Sequence, residues 1–220
     1  MERSKISLSD IKKIFQKNFI GIDELNSISS LFPVKIPIKF SKEFNFERSY
    51  LEEIKNDYIF IFGASHSLEK ELLTINYFRN HFGVTPELGK PCMYNQDWYI
   101  KEKFAQEITL NNSWYIIKKE ISNTSRGKPP EVDKNQYNAE VGLPNAILTT
   151  YVFFAYYFHT DGEILWENEY VWCSDVDSNN DQIYSGRYKD ILGINNDGFS
   201  IHRHLSIKNN YGVSESINIK

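Results

Sequence analysis

The residues best equipped for chemistry cluster in the stretch Phe199-Ser-Ile-His-Arg-His-Leu-Ser-Ile207. Its alternation predicts a strand with Phe199, Ile201, Leu205 and Ile207 on one face and Ser200, His202, His204 and Ser206 on the other. Two histidines at this spacing place their imidazoles on one side, about 6 to 7 Å apart at the backbone, within reach of a shared zinc ion. A third ligand would have to come from His159, His66 or a carboxylate, and none stands at a diagnostic spacing. The competing reading is two histidines on a solvated face. Arg203 points with the apolar set, where an unpaired guanidinium is costly. It either anchors an internal ion pair, with Glu140, Glu167 and Glu169 as candidate partners, or it binds an anionic ligand group.

Two other stretches carry possible site residues. Asp175, Asp177, Asn179 and Asp181 offer oxygens at alternating positions, like the first half of a calcium loop. The remainder of that pattern fails, because Asn180 stands where glycine is required and Gly186 where a bidentate glutamate belongs. A polar hairpin loop is the simpler reading. The turn Gly63-Ala-Ser-His-Ser67 comes within one residue of the G-x-S-x-G nucleophile elbow, which would expose Ser65 beside His66. Ser67 replaces the final glycine, so the competing expectation is Ser67 as the N-cap of a helix running to about His81, with Glu69, Lys70 and Glu71 in its first turn. A Walker loop, a dinucleotide-binding glycine motif and H-E-x-x-H are all absent.

These segments need a scaffold, and the largest apolar run supplies one. Leu143 to Phe158 holds about fifteen residues without a breaker, which is long for a strand. Ile147, Tyr151, Phe154 and Phe158 follow helical spacing, so a buried aromatic helix is expected, with Pro144 in its first turn and Asp161-Gly162 beyond its end. N-terminal to it, an amphipathic helix is expected from Ser9 to Lys17, burying Ile11, Ile14 and Phe15, and a second from Asp23 to Leu31. Val34 to Phe40 alternates but contains Pro37, which restricts it to an edge strand. Then come a helix at Arg48 to Lys55, a strand at Tyr58 to Phe62, a helical turn near Trp98 to Ala105 and a strand at Ser113 to Glu120. Residues 122–138 read as a long polar loop, either a lid or a surface excursion.

Beyond the central helix the pattern turns to β. Strands are expected at Glu163 to Glu167, Glu169 to Cys173, Gln182 to Tyr188, Lys189 to Ile194 and Phe199 to Ile207, with a turn at Asn195 to Gly198. The fold class is therefore α+β: N-terminal helices and a strand–helix unit, a buried aromatic helix, and a C-terminal antiparallel meander. Residues 1–220 form a single domain in this reading, with 1–45 as a helical arm and edge strand.

Composition bounds the function. A net charge of −4 disfavours a general nucleic-acid binder, whose affinity comes from neutralising many phosphates. Fourteen Tyr, 15 Phe and 4 Trp make the chain aromatic-rich, suited to a large core or a ligand groove. Cys92 and Cys173 are distant and form no metal motif, which points to a reduced, cytoplasmic setting. No stretch reaches the roughly 20 apolar residues of a membrane span. No cofactor is specified. The expectation is a soluble binding or interaction protein with its ligand or partner surface on the C-terminal sheet. The alternatives are a metal-dependent hydrolase using His202 and His204, and a structural subunit of an oligomeric assembly.

Overall fold

The computed structural model describes residues 5–88, 90–130, 141–192, 197–203 and 206–219. Along the chain come β1 (Ile6–Ser7), α1 (Leu8–Phe15), β2 (Phe19–Ile20), α2 (Ile22–Ser27), β3 (Glu43–Phe44), α3 (Arg48–Ile54), β4 (Tyr58–Gly63) and α4 (Ile75–Phe82). They are followed by α5 (Lys103–Gln106), β5 (Ser113–Lys118), β6 (Val141–Gly142), α6 (Ala146–His159), β7 (Tyr170–Val176), β8 (Gln182–Tyr188), β9 (Gly198–His202), β10 (Tyr211–Gly212) and β11 (Ser216–Ile219). The class is α+β, with mixed sheets, an aromatic cluster and a C-terminal antiparallel sheet.

Helix α6 is the expected apolar run, and every residue from Ala146 to Tyr156 is buried. A helix apolar on all sides must be covered on all sides. Here it is packed against β7, β8 and β9 of one sheet and against β2 and β4 of another. Phe153 meets Phe199 at 4.7 Å between ring centroids, and Phe154 stacks on Phe82 at 3.9 Å. The start of α6 is fixed by Asn145, whose Oδ1 accepts the Leu148 N–H at 3.0 Å. Pro144 therefore sits just before the cap and not in the first turn. Asp161 and Gly162 follow the helix with φ of 54° and 110°, as a stop signal requires.

Two strands of the second sheet, β4 and β5, match sequence expectations, whereas β2, β6 and β11 do not appear in them. Its order is β2-β4-β5-β11-β6, with β2 parallel to β4 and the other pairs antiparallel. Strand β11 lies inside it, Ile217 opposite Ile116 on one side and Val141 on the other. The C-terminal sheet has the order β10-β7-β8-β9; β10 is parallel to β7, and β7, β8 and β9 form the antiparallel meander. Its inner face, carrying Val171, Cys173, Ile183, Phe199 and Ile201, packs into the main core. Its outer face carries Tyr170, Trp172, Tyr184 and Tyr211, a separate aromatic cluster.

Several local expectations give way to turn chemistry. Helix α4 begins at Ile75, capped by Thr74 Oγ1 from the Tyr77 N–H, and not at Ser67. Ser67 instead closes a tight turn, its N–H bonding Glu71 O at 2.8 Å and its Oγ accepting the Glu71 N–H at 3.1 Å; serine competes with helix here by bonding nearby backbone. Val34 to Phe40 is no strand: Val34 alone bridges Ser67, and Ile38 is 99% exposed. Glu163 to Glu167 is turned because Trp166 and Asn168 hold φ of 51° and 54°. Residues 189–192 are not a strand either, since β8 pairs directly with β9 through Tyr188 and Gly198. The Asn195-Asn196 turn residues and 131–138 of the polar loop lie outside the described residues.

Gly186 is the position where β7 and β8 tolerate no side chain. A Cβ there would stand 1.9 Å from the Glu169 carbonyl oxygen, a backbone atom with no freedom to rotate away. Gly186→Ala is expected to cost about 3 kcal/mol, at the upper end of ordinary overpacking, read as a lowered urea midpoint with unchanged m-value.

Candidate functional site

The outer face of the C-terminal sheet holds the clearest pocket. The pairing Trp172 to Tyr184 and Tyr184 to His202 puts these three on one face, and Tyr211 opposite Tyr170 extends it. Rings fill it edge to face: Tyr170 meets His202 at 5.5 Å and Tyr211 at 5.1 Å, and Tyr94 meets Tyr188 at 5.2 Å. Tyr94 comes from a loop held against β9 by its N–H to Phe199 O at 2.7 Å. Together these enclose a pocket of about 570 Å³, within the usual range for small-molecule sites. Lys189 and Lys208 stand at its mouth. Lys189 pairs with Glu167 at 3.3 Å, whereas Lys208 has no ion-pair partner among the described residues.

His202 is part of the pocket floor and not of a solvated face. Its ring lies among Tyr94, Tyr170 and Tyr184, and Gln96 Nε2 approaches Nδ1 at 2.9 Å. Since an amide nitrogen only donates, Nδ1 accepts and the neutral ring keeps its hydrogen on Nε2. Burial pushes the imidazole down to about 4. Burial likewise pushes the Tyr170 hydroxyl up to about 12, so it remains protonated at neutral pH.

Arg203 lies just past the end of β9 and is an internal anchor, with partners other than those expected. Its guanidinium pairs with Asp177, whose side chain has no exposure, and with Glu102 at 3.9 Å, and it covers the Trp98 ring at 4.4 Å. Glu167 is taken by Arg187 at 2.7 Å and Glu169 by Arg126 at 2.6 Å. Glu140 and His204 lie outside the described residues.

The carboxylates of the supposed calcium loop do not converge. Asp175 turns inward and accepts the Ala146 N–H at 2.5 Å, at the start of α6. Asp177 Oδ1 accepts the N–H groups of Asn179 and Asp181, both at 2.8 Å, while Oδ2 faces Arg203. No group of three or more His, Cys, Asp or Glu able to hold a metal ion occurs among the described residues.

The Ser65 turn is a second, separate site. Ser65 is buried at the end of β4, with Oγ 2.8 Å from His66 Nδ1. Asn112, held at φ 48°, bonds it twice: Oδ1 accepts the Ser65 N–H at 2.9 Å, and Nδ2 donates to Oγ at 2.8 Å. The pocket over it has a volume of about 490 Å³.

The sequence singles out His202, which lines the aromatic pocket, and Ser65 and His66, which line the other, but not the tyrosines around His202. The signal was present in the alternation of Tyr170 with Trp172 and of Tyr184 with Tyr188. Tyr94, Gln96, Lys208 and Asn112 reach their sites from loops, where no period marks them. No protein-family model, curated protein or solved structure matches this chain.

Two outcomes follow from this geometry. Arg203→Ala takes the cation from Asp177, which keeps the N–H groups of Asn179 and Asp181, and is expected to cost about 1 to 3 kcal/mol, whereas the double variant with Asp177→Asn recovers part of that loss in urea unfolding. His202 has a folded pKa below its ordinary value of 6.5, so its contribution is present above that pH and is lost as pH falls from about 6.5 toward 4. The loss reaches up to about 3 kcal/mol, reduced by water access to the half-buried ring. Unfolding free energies of wild type and His202→Gln between these limits should diverge, with the steeper decline in wild type.

Proposed function

We propose that this protein is a small-molecule binding protein whose ligand occupies the tyrosine-walled pocket on the outer face of the C-terminal sheet. The pocket itself supports the reading: about 570 Å³ lined by Tyr94, Tyr170, Tyr188, Tyr211 and His202, with Lys189, Asp190 and Lys208 as its charged groups, of which Lys208 has no ion-pair partner among the described residues. Four tyrosines offer flat apolar surface at low conformational cost, Tyr170 and Tyr211 from buried positions. His202, neutral and fixed by Gln96, adds a polar atom without a charge. The matching ligand has an apolar or aromatic face and one anionic group directed at Lys208.

The metal-dependent hydrolase alternative has no ligand set among the described residues to support it. Nor does any helix among them have the length and apolarity to cross a membrane.

A thermal-unfolding panel of mononucleotides, aromatic carboxylates, and acidic and neutral monosaccharides tests the proposal. A member supplied at a hundred times its dissociation constant adds about 2.7 kcal/mol, a rise of about 5 to 11 °C for a chain of this length. The rise should disappear in the double variant Tyr188→Ala, Lys208→Ala. A ligand that stabilises both proteins equally binds elsewhere and would count against the pocket.

A further inference from the structure

We propose that Ser65 and His66 form a nucleophile and base that cleave small esters bearing a negative charge, at a site distinct from the tyrosine pocket. The hydrogen-bond pattern around Ser65 accommodates a hydroxyl that donates to His66. The Ser65 N–H is a donor, so the Asn112 amide must present Oδ1 to it, at 2.9 Å. The other Asn112 atom is then Nδ2, a donor, and it lies 2.8 Å from Ser65 Oγ. With that lone pair occupied, the hydroxyl hydrogen goes to its neighbour at 2.8 Å, His66 Nδ1. With Nδ1 as the acceptor, Ser65 and His66 have the arrangement of a nucleophile with a base aligned on it.

The surroundings favour use of this pair over simple structural satisfaction. Asn112 holds a left-handed φ of 48° to place both amide atoms on Ser65, and Lys70 in the same pocket has φ of 70°. Asparagine adopts this conformation more readily than most residues, so Asn112 holds it at little cost. The pocket, about 490 Å³, has Ile36, Pro37 and Ile38 on one wall and Lys35 and Lys70 as its charged groups. Neither lysine has an ion-pair partner among the described residues. Glu69 and Glu71, beside Lys70, line a different pocket. The apolar wall suits an acyl chain, and two unpaired ammonium groups suit a terminal carboxylate or phosphate.

Reaction at an ester balances within these groups. Ser65 Oγ bonds to the carbonyl carbon as its proton passes to His66 Nδ1. The carbon–oxygen bond to the leaving alcohol then breaks, and that alcohol takes the proton from His66. Water, deprotonated by the same nitrogen, releases the acid and returns the proton to Ser65. Asn112 Nδ2, which already donates to Ser65 Oγ, is the side-chain donor assigned to the developing oxyanion.

The test uses the whole protein and two kinds of probe. A fluorophosphonate should form one adduct, located at Ser65 by peptide mass spectrometry, at a rate at least tenfold lower in His66→Gln and following an ionisation which that variant lacks. Absence of labelling, labelling elsewhere, or a rate unchanged in His66→Gln with its thermal midpoint intact would overturn the pair as a reactive unit. For substrate class, p-nitrophenyl hemisuccinate should be hydrolysed at least fivefold faster relative to p-nitrophenyl acetate than in Lys35→Gln, Lys70→Gln. Equal ratios in the two proteins would overturn the anionic-substrate assignment while leaving the nucleophile in place. Since Tyr188→Ala, Lys208→Ala leaves this turn untouched, it should label at the wild-type rate.

Discussion

The structure depends on covering a helix that has no polar face. From Ala146 to Tyr156 every side chain of α6 is out of water, and each large apolar one is worth about 1.5 to 3 kcal/mol on burial. One sheet can cover only one side of such a helix. A second sheet is therefore required, and the N-terminal half of the chain, joined by β11, provides it. Polar atoms brought along by this burial find partners inside. Thr149 Oγ1 lies 2.7 Å from Ser185 Oγ, and the free N–H at the head of the helix meets the Asp175 carboxylate.

The C-terminal sheet divides its two faces between different tasks. Phe199 and Ile201 point inward to α6, and the intervening side chains point outward, where His202 joins the tyrosines. Arg203, one residue on, closes the far end by tying the strand to the turn at Asp177 and to Trp98. The aromatic pocket is thus set in a frame held on one side by core packing and on another by a buried ion pair. On the binding function proposed above, such a frame lowers the ordering cost of a ligand.

Legibility in the sequence followed periodicity. Helices α1 and α6 and strands β4, β5 and β8 were readable because their apolar spacing repeats over a full element. Strands β2, β6, β10 and β11 were not, since two to four residues carry too little pattern. Ser67 and Glu163 to Glu167 misled for a different reason: side chain to backbone bonding in one, and left-handed residues in the other, overrode composition. For the sites, residue type identified His202 and Arg203, and alternation placed His202 on the outer face. Their partners stayed hidden, because Asp177, Glu102 and Gln96 are brought in by loops whose course depends on the finished core.

The place of β11 also bears on how the protein is made. Strands β4 and β5 pair across the segment that carries α4 and α5, and both are complete once residue 118 has left the ribosome. Their sheet then presents Trp114 to Ile117 along an open edge, and the strand that seals it is nearly a hundred residues further on. At ordinary elongation rates of about 5 to 20 residues per second, that edge waits several seconds for its neighbour. A row of unsatisfied amides beside large apolar side chains is a template for pairing with other nascent chains. The demand for protection therefore falls on the interval of synthesis, when the half-built sheet has no way to distinguish its own last strand from a stranger's.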